Sequence, residues 1–143
     1  GDRLPIESLT VMVQKEAAQR LCAAPGSREV GAVSIAVQYY SQPQVLFQVS
    51  RGSFMPSPDV DSTVIRLDVR QQPPVQLKKE EDFFRVVKAA FSQRRKTLPN
   101  TLSAGLAIPK QQALDLLERA GVASNLRAEQ LSMQQFADIA NAL

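Results

Sequence analysis

Five cations lie close together in the second half of the chain, with no acidic residue between them: Arg85, Lys88, Arg94, Arg95 and Lys96. Closely spaced cations bind the phosphates of a nucleic-acid backbone, and a guanidinium can donate two parallel hydrogen bonds to one phosphate. The alternative is a solvated helix face, because Arg85 and Lys88 are three residues apart. The other three would then follow the end of that helix, where cations are electrostatically favoured.

A Gly- and Pro-rich segment, 51–61, carries a second candidate, Phe54. The segment separates two strand-like runs, and Pro56 and Pro58 stiffen it, so that it could hold a binding residue in place. Phe54 could offer a flat apolar face to an unstacked base. Alternatively, it could anchor a long loop to the core.

Three cations of the first half lie near a predicted strand end and the turn that follows it, namely Lys15, Arg20 and Arg28. The carboxyl ends of strands in open α/β sheets face ligand crevices. We therefore expect Arg28, on its loop, to contact nucleic acid. Lys15 and Arg20 are expected at solvated helix positions.

The composition excludes several kinds of chemistry. The 143 residues include no histidine and one cysteine, Cys22, so the usual zinc and copper sites, His-based catalysis and an intrachain disulfide cannot form. The six glycines never fall in the spacing of a phosphate-binding loop. We predict no catalytic, cofactor-binding or metal-binding residue in this chain.

The overall composition, 44% hydrophobic and 22% charged residues, is that of a globular protein with one domain or two small ones. No apolar run approaches the ~20 residues that span a bilayer, and no signal peptide is recognisable. A single cysteine suits a reducing compartment. We therefore expect a cytoplasmic protein with no membrane partner.

Hydrophobic periodicity predicts the elements that hold these residues. Three runs have the pattern of strands, at 8–13, 45–50 and 62–69. Helical spacing marks four segments, at 14–24, 80–93, 110–120 and 132–143. Ser132 could cap the last helix. The segment 31–40 fits both a strand and a helix, and its pattern leaves the choice open.

A composition break at 71–74, with adjacent prolines, predicts a linker. Residues 1–72 would form a domain that contains the sheet, and residues 73–143 a helical domain, which together give an α+β fold. The first 75 residues are neutral, and the rest carry the whole net charge of +3.

Three motifs, in order along the chain, resemble those of the KsgA-type rRNA adenine dimethyltransferases, a family of class I S-adenosylmethionine-dependent methyltransferases. The first is V-Q-K-E-A-A-Q-R-L at 13–21, followed by P-G-S at 25–27 and Q-Y-Y at 38–40. The second is F-M-P-S-P-D-V-D-S at 54–62, and the third is F-S-Q-R-R-K-T-L at 91–98. The resemblance covers nearly the whole chain but only the C-terminal half of a family member.

The resemblance implies a fold: the C-terminal part of a Rossmann-like sheet, about three strands with flanking helices, followed by a small all-α domain. It favours a helix at 31–40 and puts strand 62–69 between strands 8–13 and 45–50. The family's Gly-rich S-adenosylmethionine loop, acidic ribose ligand and N-L-P-Y segment have no counterpart here. The resemblance therefore implies that the whole enzyme binds the cofactor and that this chain alone is inactive.

By the same resemblance, the whole enzyme methylates N6 of two adjacent adenines in small-subunit rRNA within a 30S precursor. Phe54 would pack against the flipped target adenine. The cations would contact rRNA, although the family stretch at 91–98 also lies where its two domains meet, which leaves a structural role open for Arg94 and Arg95. Two alternatives remain: a stand-alone RNA-binding or assembly module, and part of a macrolide-resistance 23S rRNA methylase.

Strand 8–13 would lie at an edge of the sheet, because the fourth strand of the family's sheet is absent. Its residues Leu9, Val11, Met12 and Val13 include no charge, proline or bulge that would protect such an edge. The helices that would cover one sheet face in the family are also absent, which would leave apolar sheet surface uncovered. We therefore expect self-association, either edge to edge through Leu9 to Val13 or face to face. Tyr39 and Tyr40 are interpreted as packing residues in the core or between the domains.

Overall fold

The computed structural model describes residues 7–53 and 61–143. In chain order they form β1 (Ser8–Gln14), α1 (Lys15–Leu21), α2 (Ala32–Tyr40), β2 (Ser41–Val49), a 3-10 turn (Arg51–Ser53), β3 (Ser62–Val69), α3 (Glu80–Ala90), α4 (Leu98–Leu106), α5 (Lys110–Ala120), a second 3-10 turn (Ala128–Gln130) and α6 (Met133–Asn141). The α+β class and the helix at 31–40 are confirmed. Within the described ranges no helix has the length and apolar character needed to cross a membrane.

The central strand of the sheet is β3, which pairs antiparallel with β1 on one side and β2 on the other. This is the order that the resemblance implied. Thr63 and Ile65 are two residues apart on β3, so they share one face, and both are buried. Helix α1 contacts β3 and helix α2 contacts β2. The sheet thus supports the helices that carry Arg20 and the loop of Arg28.

Strand β2 starts earlier than the pattern predicted, at Ser41 rather than Val45, and it includes Pro43. The physical reason is that β2 is an edge strand, where a residue without an N–H can be accommodated. An irregularity in the register between Val45 and Phe47 further disrupts the pairing. A proline and a bulge therefore protect this edge, whereas β1 has neither.

Two predicted helices end three residues sooner than their periodicity suggested. Helix α1 ends at Leu21 rather than at 24, because Pro25 has no N–H to donate to the carbonyl of Leu21. The side-chain amide of Gln38 instead donates to the carbonyls of Leu21 and Ala23 at 3.0 and 2.7 Å. Helix α3 ends at Ala90 rather than at 93. There the Ser92 hydroxyl donates to the carbonyl of Ala89 at 2.6 Å, a local bond that competes with helix continuation.

Helix α4 was not predicted, because its sequence is rich in residues that form helices poorly. Pro99 lies in its first turn, where a missing N–H removes no helical bond. Gly105 lies against α3: a Cβ added there would be 2.6 Å from the Cα of Ala89. Leu102 is fully buried. Tertiary packing, rather than intrinsic propensity, therefore determines this helix.

The predicted cap of the last helix is confirmed, because the Ser132 hydroxyl accepts a hydrogen bond from the backbone N–H of Gln135 at 3.1 Å. The interpretation of Tyr39 as a packing residue is also confirmed, since it is buried, whereas Tyr40 packs on one side and is 47% exposed. The Tyr39 ring lies 5.3 Å from that of Phe83, and the Tyr40 ring stacks on Phe84 at 5.8 Å. These rings join α2 to α3. The domain boundary between residues 72 and 73 stays a prediction.

Candidate nucleic-acid interface

A cleft of about 520 Å³ brings together charged side chains from four parts of the chain. Its walls come from α1, the loop between α1 and α2, the loop between α3 and α4, and the second 3-10 turn with the residue before it. We call it the arginine cleft, and it is lined by Arg20, Arg28, Arg94, Arg95, Arg127, Glu16, Glu29, Glu129 and Gln19.

Hydrogen bonds to the backbone fix the two sides of the arginine cleft. On one side, the Ser34 hydroxyl donates to the carbonyl of Arg20 and accepts from the N–H of Gly31 at 3.0 Å, which joins α1 to the start of α2. On the other side, the N–H of Leu98 donates to the carbonyl of Leu126 at 3.0 Å. The side chain of Gln130 accepts from the N–H of Arg127 at 2.9 Å and closes the 3-10 turn.

The five cleft arginines are exposed, and within the described residues none of them has a carboxylate oxygen within 4.0 Å. The ion pairs found among the described residues involve other arginines, namely Arg51, Arg66 and Arg85. The donors of the cleft arginines are therefore not engaged by protein carboxylates and can hold a ligand. Five guanidiniums against three carboxylates give the cleft a net positive charge, which favours an anion.

The structure divides the predicted set of nucleic-acid contacts. Arg28, Arg94 and Arg95 come together in the arginine cleft, although 66 positions or so of sequence separate the loop of Arg28 from the other two. The remaining three cations lie outside its lining. Arg85 is exposed on α3 and pairs with Asp82 at 3.5 Å, and the other two are the exposed residues Lys88 and Lys96.

Sequence reasoning missed two arginines of the cleft, and it did not single out the glutamates or Gln19. Arg20 was expected at a solvated helix position; it is exposed on α1, and it also lines the cleft. Arg127 was not singled out, since it is an isolated cation in a polar connection. The long-range hydrogen bond between Leu98 and Leu126 holds the neighbouring Arg127 at the cleft, and no local sequence pattern reveals that bond.

Phe54 lies outside the described residues, so its contact with a base stays a prediction. The two flanks of its segment are joined. Asp61 Oδ1 accepts from the backbone N–H of Arg51 at 2.9 Å and from its guanidinium Nε at 3.3 Å, and the Asp61 carbonyl accepts from the N–H of Lys15 at 2.9 Å. The hydrogen bond from the Arg51 N–H is the main reason why the pKa of Asp61 is lowered.

The described residues do not fit an adenosyl cofactor. Such a cofactor needs a glycine turn at a strand end and a carboxylate for its ribose. In the described ranges the three strands are followed directly by Lys15, Ser50 and Arg70, and the arginine cleft has charged walls. The thiol of Cys22 is half-buried, and burial raises its pKa, which disfavours a nucleophilic thiolate.

Two solved structures share the fold of this chain. A dimethyladenosine transferase from Plasmodium falciparum superposes with a TM-score of 0.79 at 24% identity, over 96% of this chain and 57% of that one. The 23S rRNA methyltransferase ErmE superposes with a TM-score of 0.63 at 21% identity, over 96% of this chain and 55% of that one. The fold is thus shared with a dimethyladenosine transferase and with a 23S rRNA methyltransferase.

The sequence identifies the family to which the chain belongs. The profile described as "Ribosomal RNA adenine dimethylase" matches residues 2–143, and the chain belongs to that family. A relative from Oceanobacillus iheyensis, "Ribosomal RNA small subunit methyltransferase A", is 46% identical over 142 residues, 98% of this chain and 48% of its own length. Its namesake from Desulfitobacterium hafniense is 50% identical over 138 residues, 96% of this chain and 49% of its own length. The resemblance seen in the three motifs is confirmed, and the chain spans about half the length of these relatives.

Proposed function

We propose that this chain supplies RNA contacts to an enzyme that dimethylates N6 of two adjacent adenines in small-subunit rRNA. The observation that carries the proposal is the arginine cleft, where five guanidiniums converge without ion pairs among the described residues. The names of the relatives support small-subunit rRNA as the substrate. The likeness to ErmE concerns the fold alone, so it gives less support to a 23S rRNA substrate.

The cations of the cleft are of the type that binds phosphate best. All five cleft cations are arginines, whose planar guanidinium matches two phosphate oxygens at once. Both proposed domains contribute, since Arg20 and Arg28 belong to 1–72 and the others to 73–143. An RNA backbone in the cleft would therefore contact both parts, and phosphate contacts fix orientation rather than sequence.

The methyl donor, S-adenosylmethionine, belongs to the whole protein in this proposal. Its site would lie in the part of the relatives that this chain does not span, since the described residues do not fit it. Phe54 would hold the extruded target adenine, as base-modifying enzymes require. The protein would act in the cytoplasm, where its rRNA substrate is assembled.

A stand-alone RNA-binding or assembly module is the second candidate function. The observation in its favour is that the described residues combine a cleft of net positive charge with no fit to a cofactor. Methyl transfer to a small-subunit rRNA transcript distinguishes the two. The first proposal predicts transfer by a protein of the relatives' full length, and the second predicts binding without transfer.

We also propose that, when this chain is on its own, the edge of β1 pairs with a second copy. In the described sheet β1 contacts only β3, so its other edge is unpaired there. Leu9 and Met12 are 51% and 53% exposed on this strand. The opposite edge, β2, carries Pro43 and a bulge, which makes β1 the more favourable edge for association.

Salt-dependent binding to a small-subunit rRNA transcript tests the cleft. Replacing Arg94 and Arg95 with glutamine should flatten the slope of log K against log salt by about one to two units, since each phosphate contact contributes about 0.7 to 0.9. The matched control replaces Lys79 and Lys110, two exposed lysines outside the cleft, and should change the slope much less. Equal changes in the two double variants would contradict a localised site.

The face of α3 is tested in the same assay by replacing Arg85 and Lys88 with glutamine. Both side chains are exposed, and neither lines the arginine cleft. If the cleft is the interface, this variant should behave like the lysine control. If instead it flattens the slope more than the Arg94 and Arg95 variant does, the α3 face is the RNA contact and the cleft arginines are structural.

A further inference from the structure

Carboxylates line the arginine cleft together with the guanidiniums, although a site for phosphate alone would not require them. Glu29 follows Arg28 on one wall, and Glu129 lies two residues after Arg127 on the other. Within the described residues neither carboxylate has a cation within 4.0 Å. The cleft therefore presents donors and acceptors that are not paired with each other, which suits a ligand that has both an anionic group and a donor edge.

A nucleotide has both, and its base determines how well the carboxylates are used. Guanine has acceptors at O6 and N7 that match a guanidinium, the commonest specific arginine contact to a base. Its N1–H and N2–H₂ lie side by side and can donate together to the two oxygens of one carboxylate, which only accepts. Adenine and cytosine present an acceptor beside their amino group, and uracil presents one N–H between two carbonyls. Guanine is thus the base whose two edges match Arg and Glu side chains.

The size and openness of the cleft agree with this chemistry. A volume of about 520 Å³ lies in the range of small-molecule sites, about 300 to 1,000 Å³. Sequence-specific RNA recognition uses single-stranded bases that turn out of the stack and bond through their edges. Glu129 is half-buried on its 3-10 turn, whereas Glu29 is exposed, so a hydrogen bond to Glu129 is less weakened by water.

We propose that the arginine cleft binds an unstacked guanosine nucleotide of the RNA. The guanidiniums would hold its phosphate and the O6 and N7 edge, and Glu129 would accept from N1–H and N2–H₂. This inference rests on the proposed function, because it specifies which part of the RNA enters the cleft. It adds base selectivity to a site that would otherwise be independent of sequence.

Titration of the chain with four small probes tests the inference: guanosine, inosine and adenosine 5′-monophosphates and inorganic phosphate. Inosine lacks the N2 amino group and so removes one of the two donors. We expect the guanosine nucleotide to bind about tenfold more tightly than the adenosine nucleotide, as a bidentate contact to a base provides. The inosine nucleotide should lie between them, and phosphate should be the weakest.

A variant assigns part of the selectivity to one side chain. Glu129→Gln should lower the ratio of guanosine to adenosine nucleotide affinity without bringing it to one, because the guanidiniums still discriminate through the O6 and N7 edge. Using the ratio removes the general gain in anion affinity that comes from losing a negative charge. The control, Glu118→Gln, changes an exposed carboxylate on α5 outside the cleft and should leave the ratio unchanged.

The possible results separate the inference from the proposed function. Equal affinity for the three nucleotides, with competition by phosphate, overturns the guanosine inference and leaves the cleft as a backbone site. Unchanged selectivity in Glu129→Gln overturns the role of that carboxylate. Failure to bind both the nucleotides and an rRNA transcript overturns the inference and the proposed function together.

Discussion

Replacing Gly105 with alanine tests how closely α3 and α4 pack in the helical half. The added Cβ would lie 2.6 Å from the Cα of Ala89 and closer still to its Cβ, so one helix must move. Overpacking of this kind costs about 1–3 kcal/mol, whereas the better helix propensity of alanine returns about 1 kcal/mol. Because the contact involves backbone that cannot rotate away, we expect a net loss of about 1–2 kcal/mol in the free energy of unfolding.

Urea denaturation followed by far-UV circular dichroism measures this loss. The double variant Ala89→Gly with Gly105→Ala moves the methyl group from α3 to α4 and relieves the contact between the two Cβ atoms. It should be more stable than the sum of the two single changes, which a double-mutant cycle reports directly. A Gly105→Ala variant as stable as the parent would refute the close approach of these helices.

Three further predictions concern a cap, a carboxylate and the sheet edge. Ser132→Ala removes the hydroxyl that caps α6 and should lower the free energy of unfolding by about 1 kcal/mol in urea denaturation; no change would mean that water replaces the cap. The Asp61 carboxyl should titrate below the ordinary aspartate value by NMR, because Arg51 stabilises its charged form. The stability that this contact contributes is therefore fully present above the ordinary aspartate pKa and is lost as the pH falls through the lowered pKa of Asp61. An ordinary pKa for Asp61 would contradict the contact. Met12→Lys should shift light scattering toward the monomer, unlike Val33→Lys on α2, and a monomeric parent at high concentration would exclude pairing through β1.

The sheet could be predicted because its signals are local or belong to recognisable motifs. Alternation along 62–69 identified β3, and the uncharged run at 8–13 identified β1. The order of the strands followed from the family resemblance, since periodicity does not specify pairing. Helix α4 could not be found in the same way, because contact with Ala89 at Gly105 outweighs weak helix propensity.

The arginine cleft shows the same division between local and long-range information. The consecutive Arg94 and Arg95 are visible in the sequence as a cationic run. Their proximity to Arg28 depends on how the helical half packs beside α1 and α2. Arg127 lies at the cleft because the hydrogen bond between Leu98 and Leu126 holds its segment there. A cationic run can be recognised in the sequence, but which cations share a cavity depends on tertiary structure.

NMR spectroscopy of the arginine side chains tests the central claim most directly, that RNA binds in the arginine cleft. The Nε–Hε signals of the ¹⁵N-labelled chain are followed during titration with a small-subunit rRNA transcript at low salt. The account predicts that the signals of the five cleft arginines shift together and return as salt is raised. Those of Arg66, paired with Asp68, and Arg119, bonded to the carbonyl of Ala142, should stay in place. Shifts at these two arginines with unchanged cleft signals would contradict the account.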